Sequence, residues 1–380
     1  MKVYSKNIIV VADKLQDMGG GEIVLSQICE ALKPGIVITT SVNDKHDWCK
    51  LLGNVEVLTP FWGRFVTNRY IWFLFYPVIC LLMRRVSVYS EKGVFVYSSS
   101  ASKFLKAESR KKVILYSNFP ARGVFFPEDF FKSRAVRFFI KPLIAVWRNY
   151  EIGCVKRYKD IYVISQACRE EYKKLMNVES TVLNCPTDNR FSEIEIDNKL
   201  DKNYRHTFVL VSRLVDWKDL DYVFEYFESQ SIFKLKIIGD GALFTYYRKK
   251  FNKNCSFLGY LETSEKISVM RSSYALIFPS VQEWSLVTIE ASSLGLPVLG
   301  VKCAATTETQ ILFSNSKKSA TCLVYKENSC DSLSAAMHEF ISIDWDSDFI
   351  HQHSKKYSPR EFRKKIKGMV KVRPNFRTAT

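Results

Sequence analysis

Apolar positions come along this chain in two alternating rhythms, short β-branched runs and longer stretches with helical spacing. "NIIVVA" near the start reads as a buried strand, "DMGGGE" as a glycine turn and "IVLSQICEAL" as an amphipathic helix. "GIVITT", "VEVL", "GVFVYS", "KVILYS" and "DIYVIS" are further strands, most of them separated by enough chain for a crossover helix. Such alternation is the signature of a parallel, doubly wound sheet. From Val182 to Arg205 the chain turns polar and loses its period, as an interdomain linker does. A second series opens with "HTFVLVSRL" and alternates through "DLDYVFEYFESQ", "FKLKIIGDG", "LFTYYRKKF", "CSFLGY", "SEKISVMRSS", "YALIFPS" and "LVTIEASSLG". Strand "PVLGVK" and the run "TCLVYK" complete it. Two α/β units in tandem predict two Rossmann-like domains of parallel sheet facing across a cleft, with ligands beyond the carboxyl ends of the strands.

Length agrees, because 380 residues exceed one ordinary core. Charge changes the picture more: 56 Lys+Arg against 39 Asp+Glu give +17, which favours nucleic acid, an acidic membrane or phosphorylated small molecules. Ten cysteines without a C-x-x-C pair fit a reducing cytosol better than a disulfide framework. The five histidines form no H-E-x-x-H arrangement, so neither a zinc site nor another metal cofactor is expected. The opening apolar run is too short for a signal peptide and has no small-residue cleavage site. "YIWFLFYPVICLLM", Tyr70 to Met83, is too short to span a bilayer. It reads either as a buried helix with a proline kink or, with Arg64, Arg69, Arg84 and Arg85, as a face resting on an anionic membrane.

Candidate chemistry lies in the loops after strands. In "DMGGGE", Gly19, Gly20 and Gly21 let backbone amides approach an anion at a helix start, and Glu22 follows. The alternative is a plain flexible turn, since the dinucleotide spacing is missing. "VSRLVDWKDLDYV" carries Arg213 and Lys218, fixed cations suited to a pyrophosphate or else solvated loop charges. The aspartates of "DLD" begin a helix, where capping is favoured over metal binding. In "SVQEWSLVTIEASSLGLPVLG" a helix starts near Ser285 or Leu286, and its leading amides, from Ser285, Leu286, Val287 and Thr288, make an anion site. Glu290 sits one turn in, able to accept two ribose hydroxyls or to pair with a structural Lys or Arg; Gly295 is the expected C-cap.

Taken in order, "SRLVDWK", "IGDGAL", "FLGYL" and "PSVQEWSLVTIEASSLGLPVLG" resemble the donor site of the large retaining GT-B glycosyltransferase family. That family includes many bacterial lipopolysaccharide and capsule mannosyl-, glucosyl- and galactosyltransferases. The resemblance covers nearly the whole chain and is most specific over Val209 to Leu299. It implies an acceptor-binding domain over 1–190, a nucleotide-sugar domain over 191–355 and a closing helix over 356–380 that crosses back to the first domain. It implies that Arg213, Lys218 and the amides of Ser285, Leu286 and Val287 hold the donor diphosphate. Glu290 would take the ribose, and Tyr260 would lie near the base. "GGGE" matches the family's loop facing donor phosphates and acceptor. "YSNFPAR" places Asn118, with Arg122 nearby, where a histidine often stands beside the transferred sugar.

Two departures concern the sugar end. Counting back from Glu290, the family's first glutamate falls on Gln282, with Glu283 in the next, glycine position; one or the other holds the sugar hydroxyls. Asn118 replaces histidine. The implied activity is metal-independent transfer of a hexose, with retained anomeric configuration, from a nucleoside-diphosphate sugar to a lipid-linked or polysaccharide acceptor. The implied location is the cytoplasm, peripheral on the inner membrane face. Rival readings are a catalytically impaired sugar- or nucleotide-binding subunit and a basic nucleic-acid-binding protein. The latter predicts aromatics interleaved with Lys and Arg on one face, whereas the basic clusters here lie in loops, at "LMRR" and in the tail, so no nucleic-acid partner is expected.

Overall fold

The structure is a computed structural model. It describes residues 1–16, 19–43, 46–66, 75–129, 133–196, 206–314 and 319–371. The chain divides into two compact units, one of Met1–Cys185 with the segment from Arg360 onward, the other of Pro186–Pro359.

In the first unit the strands are β1 (Lys2–Ser5), β2 (Ile9–Ala12), β3 (Ile36–Thr39), β4 (Glu56–Leu58), β5 (Ser87–Ser90), β6 (Val94–Tyr97), β7 (Lys106–Ser109), β8 (Val113–Ser117), β9 (Asp160–Val163) and β10 (Thr181–Val182). Its longer helices are α1 (Gly20–Leu32), α2 (Tyr76–Met83), α3 (Arg134–Val155) and α4 (Gln166–Met176). Seven strands form a sheet in the order β10-β9-β8-β6-β2-β3-β4, and β1-β5-β7 form a small second sheet. Every pairing is parallel. β2 and β6 are buried throughout, which is why they read as continuous apolar runs rather than as alternations.

Two sequence expectations change here. Pro77 does not kink a helix. It lies in the first turn of α2, where its missing N–H would have had no carbonyl to meet. Nor is the apolar run uniform, since Ile79, Cys80 and Met83 are core while Val78 and Leu81 are exposed. Residues 70–74 of that run, and Arg69, lie outside the described residues, as do Asp17 and Met18 of the glycine turn.

Helix α3 was not singled out from the sequence. Its inner end is tied down by a fully buried ion pair, Lys103 Nζ to Glu151 Oε1 at 2.5 Å. Burial, the largest single influence, pushes the ammonium pKa down, but the Glu151 charge, the Tyr172 hydroxyl and the Glu151 hydrogen bond together raise it above its ordinary value.

The second unit contains β11 (Thr207–Val211), β12 (Lys234–Ile238), β13 (Cys255–Gly259), β14 (Ala275–Phe278), β15 (Val298–Val301) and β16 (Cys322–Tyr325). Its longer helices are α5 (Asp221–Ser229), α6 (Phe244–Lys250), α7 (Thr263–Arg271), α8 (Leu286–Ser293), α9 (Cys330–Ser342) and α10 (Ser347–Ser354). The six strands order as β13-β12-β11-β14-β15-β16, all parallel. Both layers of helix bury apolar faces against this sheet: one cluster gathers Phe208, Phe224, Phe227 and Phe340, the other Phe191, Val209, Met270 and Leu276. Phe191 belongs to the polar run read as a linker. Asp188 caps a short helix there, and its one aromatic side chain is driven into the core. The final helix, α11 (Pro359–Lys371), packs on the first unit, with Phe362 beside Tyr116 and Arg363 paired to Glu30 at 2.8 Å.

The seven-stranded and six-stranded sheets are thus each a doubly wound α/β layer, and the chain has the two Rossmann-like domains of the GT-B architecture. Among the described residues no helix is long and apolar enough to cross a membrane.

Candidate functional site

In the second unit the strand order reverses between β11 and β14, which are hydrogen-bonded neighbours. A crevice opens at such a switch point, beyond the carboxyl ends of the two strands. The loops leaving them carry Arg213 and Lys218 on one side, and Gln282, Glu283 and the start of α8 on the other.

Four backbone bonds tie the motif pieces into one shelf. Ser212 N–H donates to Ile238 O (3.0 Å), Leu214 N–H to Asp240 O (3.0 Å), Leu243 N–H to Leu214 O (3.0 Å) and Gly239 N–H to Gly259 O (2.7 Å). Glycine is required where this shelf closes. Gly239 has φ +132°, and a Cβ there would lie 2.0 Å from Ser212 O; Gly241 is as tight against Leu214 O, at 2.3 Å.

Arg213 is exposed and Lys218 buried, and both cations meet the ring of Trp217, at 5.6 and 4.5 Å from its centroid. Such contacts help hold cationic groups in place. Sequence reasoning passed over Trp217, although an aromatic between two loop cations was signal enough. Of the "DLD" aspartates, expected as cap and first-turn charges, neither caps α5, whose N-cap is Leu220 without a side-chain bond, while Asp221 does lie in its first turn. Asp221 accepts from the Tyr247 hydroxyl (2.8 Å) and Asp219 from Asn328 Nδ2 (3.1 Å), so the two carboxylates are engaged separately.

Ser285 is the N-cap of α8 and gives no side-chain cap, so the leading amides of Leu286, Val287 and Thr288 keep the unmet donors that every helix start has. Gln282 anchors the approach through its carbonyl, which accepts from Ala305 N–H at 2.9 Å. Gln282 and Glu283 are half-buried, and Trp284 is buried against Tyr357 with its indole N–H unpartnered. The helix ends in a left-handed Gly295 at φ +72°. Gly295 N–H donates to Ser292 O and Leu296 N–H to Ala291 O, both at 3.0 Å, which is the Schellman arrangement.

Glu290 is 3% exposed, and its Oε2 accepts from Lys266 Nζ at 2.9 Å. The carboxylate in the apolar helix therefore has a lysine partner, supplied by α7. One ammonium does not exhaust the lone pairs of a carboxylate, so a ribose hydroxyl can share it. Lys266 also sits 4.9 Å from the Phe191 ring centroid. Beside it, Asp188 is clasped by Arg190 at 2.7 and 3.1 Å; although burial opposes it, the Arg190 bonds and charge hold the Asp188 carboxyl below its ordinary range. Tyr260, exposed after β13, has its hydroxyl pKa raised by partial burial and by Glu262, and feels the Arg190 charge. Lys266, Asp188 and Arg190 were missed because each lies outside the quoted motifs, in a helix or in the polar run.

In the first unit the same logic holds. The strand order reverses between β2 and β6, and a pocket of about 110 Å³ lies there, lined in part by Asp13, Gly21, Glu22, Tyr97, Ser99 and Asn118. Three candidates, Gly21, Glu22 and Asn118, thus meet in one pocket. Gly19 and Gly20 form the start of α1 outside its lining, and Arg122 is exposed over the Phe119 ring, 4.9 Å away. Asp13 fixes the wall by accepting from Ser98 Oγ and from the amides of Ser99, Ser100 and Ser102 at 2.8–3.0 Å. Asn118 Nδ2 donates to the Tyr97 hydroxyl at 3.4 Å, while its buried Oδ1 has no hydrogen-bond partner. Among the described residues no group of three His, Cys, Asp or Glu is arranged to hold a metal ion.

The family model described as "Glycosyl transferases group 1" matches residues 205–342. Among solved structures, Anabaena Alr3699/HepE in complex with UDP and glucose is similar over 96% of this chain and 99% of that one, at 13% identity and TM-score 0.65. Its complex with UDP-glucose gives TM-score 0.64. A glycosyltransferase from Rickettsia africae ESF-5 is similar over 97% and 98%, at 13% identity and TM-score 0.62. No curated protein matches the chain in sequence.

Proposed function

We propose, for a chain whose residues 205–342 match the model of group 1 glycosyl transferases, that it moves a hexose from a UDP-sugar to a lipid-linked or polysaccharide acceptor with retention of anomeric configuration. The observation that carries this reading is the switch-point pair of loops in the second unit, one bearing Arg213 and Lys218, the other the uncapped start of α8. The UDP donor is favoured because Alr3699/HepE, similar along nearly its whole length, binds UDP and UDP-glucose.

In the proposed reaction the bond from sugar C1 to the diphosphate oxygen breaks and negative charge grows on the leaving phosphate. Arg213, Lys218 and the amides of Ser285, Leu286 and Val287 stabilise that charge without metal. Glu290 and Lys266 hold the ribose, and Tyr260 borders the base. Gln282 and Glu283 are assigned to the sugar hydroxyls. The acceptor hydroxyl attacks C1 from the face the diphosphate leaves, and its proton passes to the departing phosphate oxygen. Acceptor recognition is assigned to the first unit, where the unpartnered Asn118 Oδ1 suits a ligand hydroxyl. The site of action is the cytoplasmic face of the membrane.

The test is UDP release from a panel of nucleotide sugars, with the product anomer read by NMR. UDP-hexoses are expected to turn over with retention, and Arg213→Ala or Lys218→Ala to lower kcat by about 10²-fold. An inverted product ends the front-face mechanism. Nucleotide-sugar binding without turnover favours the impaired-subunit reading, to which Gln282 and Asn118 lend support.

A further inference from the structure

The outer part of α3 carries a stripe of exposed apolar side chains among the described residues. Val136, Phe139, Leu143 and Val146 recur at helical spacing with 43, 77, 66 and 68% exposure, and Phe138 beside them is 74% exposed. A soluble surface seldom leaves two adjacent phenylalanines and two further aliphatic side chains open on one helix. The next position of the stripe is Tyr150. Its hydroxyl accepts from Arg84 at the end of α2 (3.3 Å), and the Arg84 guanidinium also lies 5.4 Å from its ring centroid. The inner end of the stripe thus meets the end of α2, a helix on which Val78 and Leu81 are exposed and which Arg85 follows. Along one flank of α3 run Arg134 and Lys141, both exposed.

We propose that this surface of α3 and α2 docks the protein on an anionic lipid bilayer, the phenylalanines and aliphatic groups entering the headgroup boundary and the basic residues meeting lipid phosphates. It deepens the lipid-linked acceptor reading above by naming the face that meets the membrane. Charge selects this occupant over a second copy of the chain. A two-fold contact through the same stripe would bring Arg134, Lys141 and Arg85 against their own counterparts in a protein already at +17. A flat anionic surface matches both the apolar width and the basic rim.

Co-sedimentation with vesicles tests it. The full chain is expected to pellet with phosphatidylglycerol/phosphatidylcholine vesicles at low salt and to remain in solution with phosphatidylcholine alone. The variant Phe139→Ser/Leu143→Ser changes only open positions and should unfold at the wild-type temperature while binding about tenfold more weakly. Arg134→Gln/Lys141→Gln should also bind more weakly and with a shallower salt dependence. Three results overturn the proposal: wild-type protein that ignores anionic vesicles, a serine variant that pellets like wild type, and a lipid-free dimer that the serine changes convert to monomer. The vesicle readout does not depend on turnover. Docking without UDP release would leave this surface standing while removing the catalytic reading, and UDP release without docking would do the reverse.

Discussion

Glu290 shows how a single side chain accommodates two demands. A buried carboxylate is costly alone, and Lys266 at 2.9 Å supplies the compensating charge. Lys266→Met is expected to destabilise by about 3 kcal/mol, because it strands Glu290. Lys266→Met/Glu290→Met should recover most of that loss, while donor affinity falls whenever Glu290 is gone. Urea unfolding of the two variants, with UDP-sugar titration of each, reads the two effects apart; a double mutant as unstable as the single would refute the pairing argument. The sequence announced Glu290, since a lone carboxylate in an apolar helix needs a reason. Its partner was not legible: Lys266 stands twenty-four positions earlier, in a helix whose exposed positions are also polar, so nothing marked this lysine as turned inward.

At the level of elements, the strands were legible because buried parallel strands are written as unbroken apolar runs, as in "IVVA" of β2 and "ALIF" of β14. The loops between them were legible through their glycines. Gly239→Ala should cost about 3 kcal/mol, since its Cβ would fall 2.0 Å from Ser212 O and force the shelf that carries Arg213 to move. A lowered melting temperature together with weakened UDP binding is the expected pair of results; an unchanged melting temperature would mean the shelf can yield. Helix α3 escaped notice for the opposite reason. It is apolar on the side that packs, at Ile144 and Val155, and again on the open side, at Phe139 and Val146, so its period is blurred.

Across the whole molecule, both sheets wind outward from their first long strand and reverse beside it, at β2/β6 and at β11/β14. Two switch points in one chain explain why the candidate residues fell in two groups, and why motif order rather than any one motif carried the family resemblance. Acid should weaken the second unit. His353 in α10 has its pKa lowered below 6.5 chiefly by burial; its bond to Thr309 O at 2.7 Å opposes this and the Lys356 charge adds to it. The unfolded chain then binds the proton more readily, so stability is complete above about pH 6.5 and declines as pH falls through the folded value. Urea midpoints at pH 7.5 and 5.5 should diverge in wild type and converge in His353→Gln.

Glu151 joins more than two side chains. Its Oε1 takes both the Lys103 ammonium and, at 3.4 Å, the Ala121 amide, while the same ammonium reaches Ser99 O, also at 3.4 Å, on the wall of the first unit's pocket. Because the carboxylate is fixed on α3 and sealed from water, a tilt of that helix cannot be absorbed by solvent. It must stretch the ammonium or drag the serine. The chamber's rim and the inner end of that helix are thus moored to one buried charge, like two lines made fast to a single cleat.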